Sequence, residues 1–300
     1  MSFPSLAATA IAVVLATTAA GSDDQFDEFA VPFNSADLTL PDQTRDLAAG
    51  RESMMFKPVG EGPFPALVIM PTCYGHLYTS NTFDWARRAV EHGYAALVID
   101  PLAPRGVDDN CVRPLAIPAS RLLKDAFDAA NHLRRQHFVD PARVALMGFS
   151  QGAMTGLAAA GSRRSRPDGT EPFRAIVSVY PVCLFANFLM PGMPHPVDMH
   201  FIPEKIVIPL LVEIGDQDTQ GGPPMNGCKT LLEERKAQGD PVEHIVYHAT
   251  HVWDHRELGS AGERIRGVYG QEIVYQYSAE VTEQSAKDTF AFLDKQMKGP

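Results

Sequence analysis

The chain has 300 residues, with 26 Lys and Arg against 36 Asp and Glu, and a formal net charge of −10 at pH 7. Hydrophobic residues make up 45% and charged residues 21%, the composition of a soluble globular protein with enough apolar material for a core. The acidic balance argues against a nucleic-acid-binding protein, which needs a basic face to neutralise phosphates. No repeat of about 20–50 residues indicates a solenoid or a propeller.

The N-terminus has the pattern of an export signal. Residues 6–20 form an apolar, uncharged run, LAATAIAVVLATTAA. This run is shorter than the roughly 20 residues that cross a bilayer, but it suits the apolar region of a secretory signal. We therefore expect residues 1–21 to be a signal peptide and residues 22–300 to form one domain of a secreted or periplasmic protein, with no membrane insertion after cleavage. If the segment is not a signal, the protein is cytoplasmic.

The cysteines form no Cys-x-x-Cys pair, which argues against a zinc ribbon or a thioredoxin motif. In an exported protein they can form disulfides, but the spacing does not choose among the alternative pairings. The other interpretation is a set of unpaired, buried thiols. The residues are Cys73, Cys111, Cys183 and Cys228.

Continuous apolar runs alternate with helical patterns along the chain. Continuous rather than alternating runs predict strands that are covered on both faces, as in a parallel sheet. These runs are residues 66–70, 94–99, 144–147, 175–180 and 207–214, with a weaker one at 245–247. Helical patterns are found at residues 121–135, 153–160, 231–238 and 286–297. Ser120 is the expected N-cap of the first of these helices.

The order of these elements predicts an α/β fold, with a mostly parallel central sheet and helices on both faces. Residues 30–57 are strand-like and are expected to form an antiparallel start to the sheet. Two long irregular stretches, residues 101–119 and 184–204, each follow a strand. They should shape a pocket at the carboxyl ends of the strands, where open α/β sheets bind ligands.

The clearest motif is Gly148-Phe149-Ser150-Gln151-Gly152, which follows one predicted strand directly and precedes a predicted helix. Gly-x-Ser-x-Gly in this context predicts a nucleophile elbow. The turn forces the serine into strained backbone angles, so only small residues fit two positions before and after it. The Ser150 hydroxyl is then held clear of the backbone, as a nucleophile requires.

A serine hydroxyl needs a base and an orienting acid to react near neutral pH. In the α/β-hydrolase fold, of which a nucleophile elbow is typical, the acid and then the histidine follow the serine along the chain. We expect Asp218, which lies further into its loop, to be the acid, with Asp216 as the alternative. His251, just past the last strand, is the expected base, and His248 and His255 are its competitors.

The third requirement is an oxyanion hole, in which two backbone N–H groups point to the site of developing negative charge. One donor is expected at Gln151, the residue after the nucleophile. The other is expected in the loop after the first buried strand, residues 71–75. Because the donor is a backbone amide, the side chain at that position is nearly unrestricted.

These motifs resemble those of the dienelactone hydrolase family of α/β-hydrolases. The similarity covers most of the chain, from about residue 65 to residue 295, and includes the blocks at residues 68–75, 100–106, 148–152, 215–218 and 249–251. The resemblance implies a triad of Ser150, Asp218 and His251. It also implies an oxyanion hole formed by the amides of Cys73 and Gln151.

The nucleophile departs from the family pattern, because the dienelactone enzymes proper use a cysteine where this chain has Ser150. Those enzymes also bind the substrate carboxylate with arginines, for which Arg105 is the candidate here. Tyr74 and Trp253 are the other residues expected to contact the substrate. The difference at the nucleophile favours a general esterase or lactonase over an enzyme for one particular lactone.

We therefore predict a serine hydrolase that cleaves small carboxylic esters or lactones through an acyl-enzyme. No GxGxxG or GxxxxGK motif indicates a cofactor, and the sequence does not define an oligomeric state. The alternatives are a serine peptidase or acyl-peptide hydrolase, and a non-catalytic binding protein on a hydrolase scaffold.

A metal enzyme is a further alternative, built on His248, His251 and His255 with His195 and His200 nearby. Zinc requires three or four converging ligands. Histidines at i, i+3 and i+7 share a face only on a helix, whereas this region is expected to be a strand running into a loop. The pattern therefore predicts no metal site.

Overall fold

The structure is a computed structural model that describes residues 54–75, 81–102, 105–111, 116–161, 167, 169–188, 194–220, 227–267 and 270–299. The predicted signal peptide, residues 1–21, lies outside the described residues. So do residues 30–53 of the expected antiparallel start.

Secondary structure follows the predicted alternation of strands and helices. The strands are β1 (Met54–Phe56), β2 (Phe64–Met70), β3 (Ala95–Val98), β4 (Val139–Phe149), β5 (Ile176–Val179), β6 (Leu184–Phe188), β7 (Val197–His200), β8 (Leu210–Gly215), β9 (Val242–Tyr247), β10 (Glu263–Arg266) and β11 (Glu272–Tyr275). The helices are α1 (Asn81–Glu91), α2 (Ala119–Arg134), α3 (Gln151–Ala159), α4 (Cys228–Ala237) and α5 (Ala279–Met297).

One sheet of seven strands, in the order β1-β3-β2-β4-β5-β8-β9, organises the fold. Strand β1 runs antiparallel to β3, whereas the other neighbouring pairs are parallel. Both the mostly parallel sheet and the antiparallel strand near its start are confirmed. The carboxyl ends of β4, β8 and β9 consequently lie at the same edge of the sheet.

Apolar side chains of the sheet are buried on both faces. On β2, Ala66, Val68 and Met70 belong to one core cluster, and Leu67 and Ile69 belong to the other. Helices α2, α3 and α4 contribute to the first cluster, and α1 and α5 to the second. The continuous apolar runs arise because each strand is covered by helices on both sides, as predicted.

Helix α2 begins earlier than its sequence pattern indicates. Its N-cap is Pro118, with φ −68° and ψ 153°, and not Ser120, which lies inside the first turn. The Pro118 carbonyl accepts hydrogen bonds from the N–H groups of Arg121 and Leu122. Pro118 has an extended backbone, and the N–H that proline lacks is not used at this position. It therefore ends the preceding loop, and the helix starts one turn before the apolar stripe.

Strand β8 begins at Leu210, three residues later than predicted. The preceding apolar residues Val207 and Ile208 donate their N–H groups to the Ala160 carbonyl, not to a neighbouring strand. Pro209 has no N–H to offer a sheet. The apolar run therefore contains a short connection and then the strand.

The stretch at 184–204 is not wholly irregular, because β6 and β7 pair in it as an antiparallel hairpin. A second hairpin, β10–β11, and helix α1 are also absent from the predicted elements. Strand β7 has only four residues, alternately half-buried and exposed, which is too short for a periodicity to stand out. No helix in the described ranges is long and apolar enough to span a membrane.

Candidate active site

Ser150 occupies the sharp turn between β4 and α3, with φ 50° and ψ −108°. Positive φ is unfavourable for a residue with a Cβ. The close packing around the turn explains the flanking glycines. A Cβ at Gly148 would lie 2.1 Å from the Gly152 carbonyl oxygen, and a Cβ at Gly152 would lie 2.6 Å from that of Met70. The sequence motif therefore forms the predicted elbow.

Ser150, His251 and Asp218 form a continuous chain of polar contacts. His251 Nε2 lies 2.9 Å from Ser150 Oγ, and His251 Nδ1 lies 2.6 Å from Asp218 Oδ2. The three residues are 7%, 3% and 6% exposed, so water competes little for these contacts. Asp218 Oδ1 also accepts a hydrogen bond of 2.8 Å from the Gln220 N–H, which fixes the carboxylate.

This geometry fixes the proton positions that nucleophilic chemistry needs. When Nδ1–H of His251 is donated to the Asp218 carboxylate, Nε2 carries a lone pair directed to the Ser150 hydroxyl. The arrangement can thus withdraw the hydroxyl proton as the oxygen attacks an electrophile.

The alternative acid and base lie elsewhere. Asp216 and His248 pair with each other on the surface, with 3.0 Å between Asp216 Oδ2 and His248 Nδ1. His255 is buried, and its Nε2 lies 3.8 Å from Asp254 Oδ1 without a hydrogen-bond partner among the described residues. Burial lowers the pKa of His255 below its ordinary value. None of these side chains replaces His251 or Asp218 beside Ser150.

The histidines considered as zinc ligands do not come together. His195, which precedes β7, and His200, the last residue of β7, are both exposed. In the part of the chain that the structure describes, no group of three or more His, Cys, Asp or Glu side chains is arranged to hold a metal ion.

Cys73 and Gln151 lie on either side of a contact between the β2 loop and α3. The Gly152 N–H donates a hydrogen bond of 3.1 Å to the Pro71 carbonyl and so ties the loop to the helix. Neither the Cys73 N–H nor the Gln151 N–H donates to another group within the described residues. The Gln151 amide is also at the N-terminus of α3, where the helix dipole favours negative charge.

All four cysteines are paired, as Cys73–Cys111 and Cys183–Cys228. The first disulfide joins the loop after β2 to the loop after β3. The second joins the segment after β5 to the first residue of α4. The sequence alone leaves this pairing open, because the partners are 38 and 45 residues apart and meet only in the folded sheet.

Arg105 does not present a free guanidinium. It donates two hydrogen bonds, of 2.6 and 2.9 Å, to the Asp125 carboxylate and a third to the Pro101 carbonyl. Burial raises the pKa of Asp125 to about 6, because desolvation outweighs the neighbouring guanidinium. Arg105 is thus anchored to α2, and its position does not agree with the predicted role in binding a substrate carboxylate.

Trp253 has no exposed surface, and its indole packs edge-on against Tyr180 and Tyr247 with centroid distances of 4.8 and 5.7 Å. A substrate cannot contact it there, so the predicted contact is wrong. The backbone turns at Val252, with φ 53°, just before the side chain enters the core. Tyr74 is half-buried in the β2 loop and keeps an accessible surface.

A buried polar network that the sequence does not predict lies next to the His251 imidazole. The Tyr180 ring meets the His251 ring edge-on at 5.0 Å, and its hydroxyl donates to Asp254 Oδ1 at 2.7 Å. Asp254 Oδ2 accepts hydrogen bonds from Asn81 Nδ2 at 3.1 Å and Trp85 Nε1 at 2.7 Å. The only sequence signal for Asp254 is its place three residues after His251.

Tyr275 supports His251 from a different element. Its backbone forms an isolated bridge with His251, and the two ring centroids are 6.0 Å apart. The Tyr275 hydroxyl donates a 2.6 Å hydrogen bond to Gln220, the residue whose N–H binds Asp218. The sequence gives no signal for this role, because β11 is one of the elements that it does not predict.

Comparison with known proteins supports the same fold. No curated protein matches the chain. Among solved structures, a Klebsiella pneumoniae protein assigned to the dienelactone hydrolases has 17% identity and a TM-score of 0.55, covering 81% of this chain and 92% of that one. Native esterase 2 of Thermogutta terrifontis has 13% identity and a TM-score of 0.56, covering 81% and 86%. A dienelactone hydrolase-like promiscuous phosphotriesterase from metagenomic libraries has 19% identity and a TM-score of 0.53, covering 79% and 88%.

These structures share the fold with the chain, but their sequence identities are too low to show the family. The family is shown by a sequence match. The profile of the dienelactone hydrolase family matches residues 52–297. A dienelactone is a cyclic carboxylic ester, so the family's chemistry is ester hydrolysis. The chain therefore belongs to the dienelactone hydrolase family and is a carboxylic ester hydrolase.

Proposed function

We propose that this hydrolase cleaves small carboxylic esters or lactones through an acyl-enzyme on Ser150. His251 is the general base and acid, and Asp218 holds the imidazole. The observation that supports this proposal is the unbroken series of contacts from Ser150 Oγ to His251 Nε2, at 2.9 Å, and from His251 Nδ1 to Asp218, at 2.6 Å.

In the first half of the reaction, His251 Nε2 takes the Ser150 proton while Oγ forms a bond to the ester carbonyl carbon. The carbonyl oxygen becomes an oxyanion, which the amides of Cys73 and Gln151 stabilise in this proposal. The imidazolium, stabilised by Asp218, then donates its proton to the departing alkoxide as the carbon–oxygen bond breaks.

In the second half, a water molecule attacks the acyl-enzyme while His251 takes its proton. The proton returns to Ser150 Oγ as the carboxylic acid leaves. For a lactone the alcohol stays attached to the acyl group, so a single hydroxy acid is released. Tyr74, half-buried in the β2 loop, is proposed to border the acyl or alcohol group.

The test compares the unmodified protein with Ser150→Ala. Esterase 2 of Thermogutta terrifontis is known with butyrate bound, which motivates p-nitrophenyl butyrate as the first substrate. We expect Ser150→Ala to lower kcat by about 10⁴-fold or more, because the members of a triad act as a unit. Undiminished hydrolysis by Ser150→Ala would refute the proposal.

A fluorophosphonate probe provides a second readout that does not depend on the choice of ester. It should label the unmodified protein on the peptide that contains Ser150, and it should not label Ser150→Ala. Tm values measured on both proteins serve as the control for folding, since Ala fits the elbow as well as Ser. Labelling of Ser150→Ala to the same extent would contradict the assignment of the nucleophile.

We also propose that residues 1–21 direct export and are removed, leaving residues 22–300 as one domain in a secreted or periplasmic location. The two disulfides support this proposal, because disulfides persist mainly in oxidising compartments. N-terminal sequencing of the protein expressed from its full coding sequence tests it. A mature protein that still begins at Met1 would contradict export by cleavage.

A further inference from the structure

We propose that Asn110 is a positioning residue for the oxyanion hole, and this inference rests on the proposed function. Asn110 is in the loop after β3 and has no exposed surface. It contacts both residues whose amides we assign to the oxyanion hole, although it is distant from each of them in sequence.

Two hydrogen bonds connect Asn110 to the two sides of the oxyanion hole. Its backbone N–H donates to the Cys73 carbonyl at 2.9 Å, and its side-chain Nδ2 donates to Gln151 Oε1 at 3.0 Å. The β2 loop and the start of α3 are therefore linked through a single buried residue.

Asn110 is itself held in one orientation by Ile117. Its Oδ1 accepts a 3.0 Å hydrogen bond from the Ile117 N–H, and its Nδ2 donates a 3.2 Å hydrogen bond to the Ile117 carbonyl. With Gln151, these contacts use both N–H groups of Nδ2 as well as the oxygen. The next residue, Cys111, is tied to Cys73 by a disulfide. The side chain cannot rotate without breaking several contacts.

The loop after β2 is held at two points by backbone hydrogen bonds. Pro71 is held at one end of the loop by the Gly152 N–H, and Cys73 is held further along by the Asn110 N–H. Oxyanion donors are effective only when they are placed before the reaction, and a displacement of about 1 Å can cost about 100-fold in rate. Asn110 does not touch the reacting atoms, so its effect must pass through the placement of Cys73 and Gln151.

The experiment uses Asn110→Ala, Gln151→Met and the double variant. Gln151→Met keeps the backbone amide and removes only the side-chain acceptor for Asn110. Each protein is assayed with p-nitrophenyl butyrate and with the thionoester in which sulfur replaces the carbonyl oxygen. Sulfur is a weak hydrogen-bond acceptor, so damage to an oxyanion hole slows the ordinary ester more than the thionoester.

We expect Asn110→Ala to lower kcat for the ordinary ester by about 10-fold to 100-fold, with little change in KM. Gln151→Met should shift kcat in the same direction, and both should lower the ratio of ester to thionoester hydrolysis. The double variant should resemble Asn110→Ala, because both substitutions remove the same contact. If Asn110→Ala fails to fold, Gln151→Met alone carries the test.

Thr289→Val is the matched control for lost stability, because Thr289 is also fully buried and donates a hydrogen bond to Glu213 outside the site. It should lower Tm without changing the ester-to-thionoester ratio. An unchanged ratio in Asn110→Ala and Gln151→Met would overturn the role of Asn110. Ser150→Ala, assayed in the same series, separates this outcome from failure of the proposed function. If the proposed function holds, Ser150→Ala is inactive whatever the role of Asn110. If the proposed function fails, Ser150→Ala keeps its activity.

Discussion

Ser150 keeps its positive φ because the neighbouring residues leave it no alternative. Side chains are excluded at Gly148 and Gly152 by backbone oxygens less than 3 Å from any added Cβ. Strain of this kind costs about 1–3 kcal/mol and persists only where the surroundings impose it. The packed ends of β4 and α3 impose it here, so the hydroxyl is held beside His251 Nε2, at 2.9 Å.

The two aspartates of the β8 loop provide a test at single-residue resolution. We expect Asp218→Asn to lower kcat by about 10⁴-fold, because an amide cannot hold the His251 tautomer or stabilise its charge. Asp216→Asn is the matched control, since it removes only an exposed pair with His248, which contributes little. Its kcat should stay within about twofold of the unmodified protein. Steady-state kinetics on both variants check this, and equal losses would contradict the assignment.

Local sequence points to the residues proposed to react but not to those that support them. Ser150 lies in a steric motif whose glycines are required by the turn, and His251 and Asp218 lie directly after strands, so both are accessible to local pattern reading. Asn110 and Tyr180 act through contacts with residues 41 and 74 positions away. No local pattern encodes such contacts, and none shows that Trp253 is buried in the core or that Arg105 is paired with Asp125.

Among secondary-structure elements, those buried on both faces are the ones that the sequence predicts best. Strands β2 and β3 form unbroken apolar runs, and β5 is interrupted only by the buried Ser178, because helices cover these strands on both sides. The hairpins β6–β7 and β10–β11 are short and partly exposed, and their stability comes from pairing, which a single strand's pattern does not contain.

Removing each of the two disulfides in turn separates an effect on stability from an effect on kcat. They close loops of 38 and 45 residues, so loss of either one should cost a similar amount of stability, about 4 kcal/mol on chain-entropy grounds. Only Cys73–Cys111 joins the loop assigned to the oxyanion hole. We therefore expect the Cys73→Ser/Cys111→Ser variant to lose kcat at a temperature where it is fully folded.

The Cys183→Ser/Cys228→Ser variant is the control for that experiment. It should show a comparable fall in Tm but a kcat close to that of the unmodified protein. Calorimetry and ester hydrolysis on the two double variants provide both measurements. Equal effects on kcat would indicate that the first disulfide acts through stability alone.

Stability of the whole molecule should depend on pH through Glu213, which is fully buried in β8. Its carboxyl accepts hydrogen bonds from Ser285 and Thr289, but burial dominates and raises its pKa to about 8 from an ordinary 4.5. Between these pH values the folded protein holds a proton that the unfolded chain releases. The free energy of unfolding should therefore fall as pH rises from about 4.5 to 8, by up to a few kcal/mol.

Glu213→Gln should remove this part of the pH dependence, because Gln resembles the protonated acid and does not titrate. Urea unfolding of both proteins at several pH values between 5 and 9 measures the difference between them. Asp125, whose pKa is raised to about 6, contributes in the same direction in both proteins and cancels in the comparison. Curves that stay parallel across this range would contradict a raised pKa at Glu213.

The order in which the site residues occur along the chain has a consequence for biosynthesis. A nascent polypeptide that has reached residue 250 contains Ser150 and Asp218 but not His251, and His251 gains its backbone bridge only when Tyr275 has been added. The proposed triad can therefore form only after His251 has been added, and its backbone support only after Tyr275. A nascent chain that stops before His251 contains the proposed nucleophile without the base that would activate it.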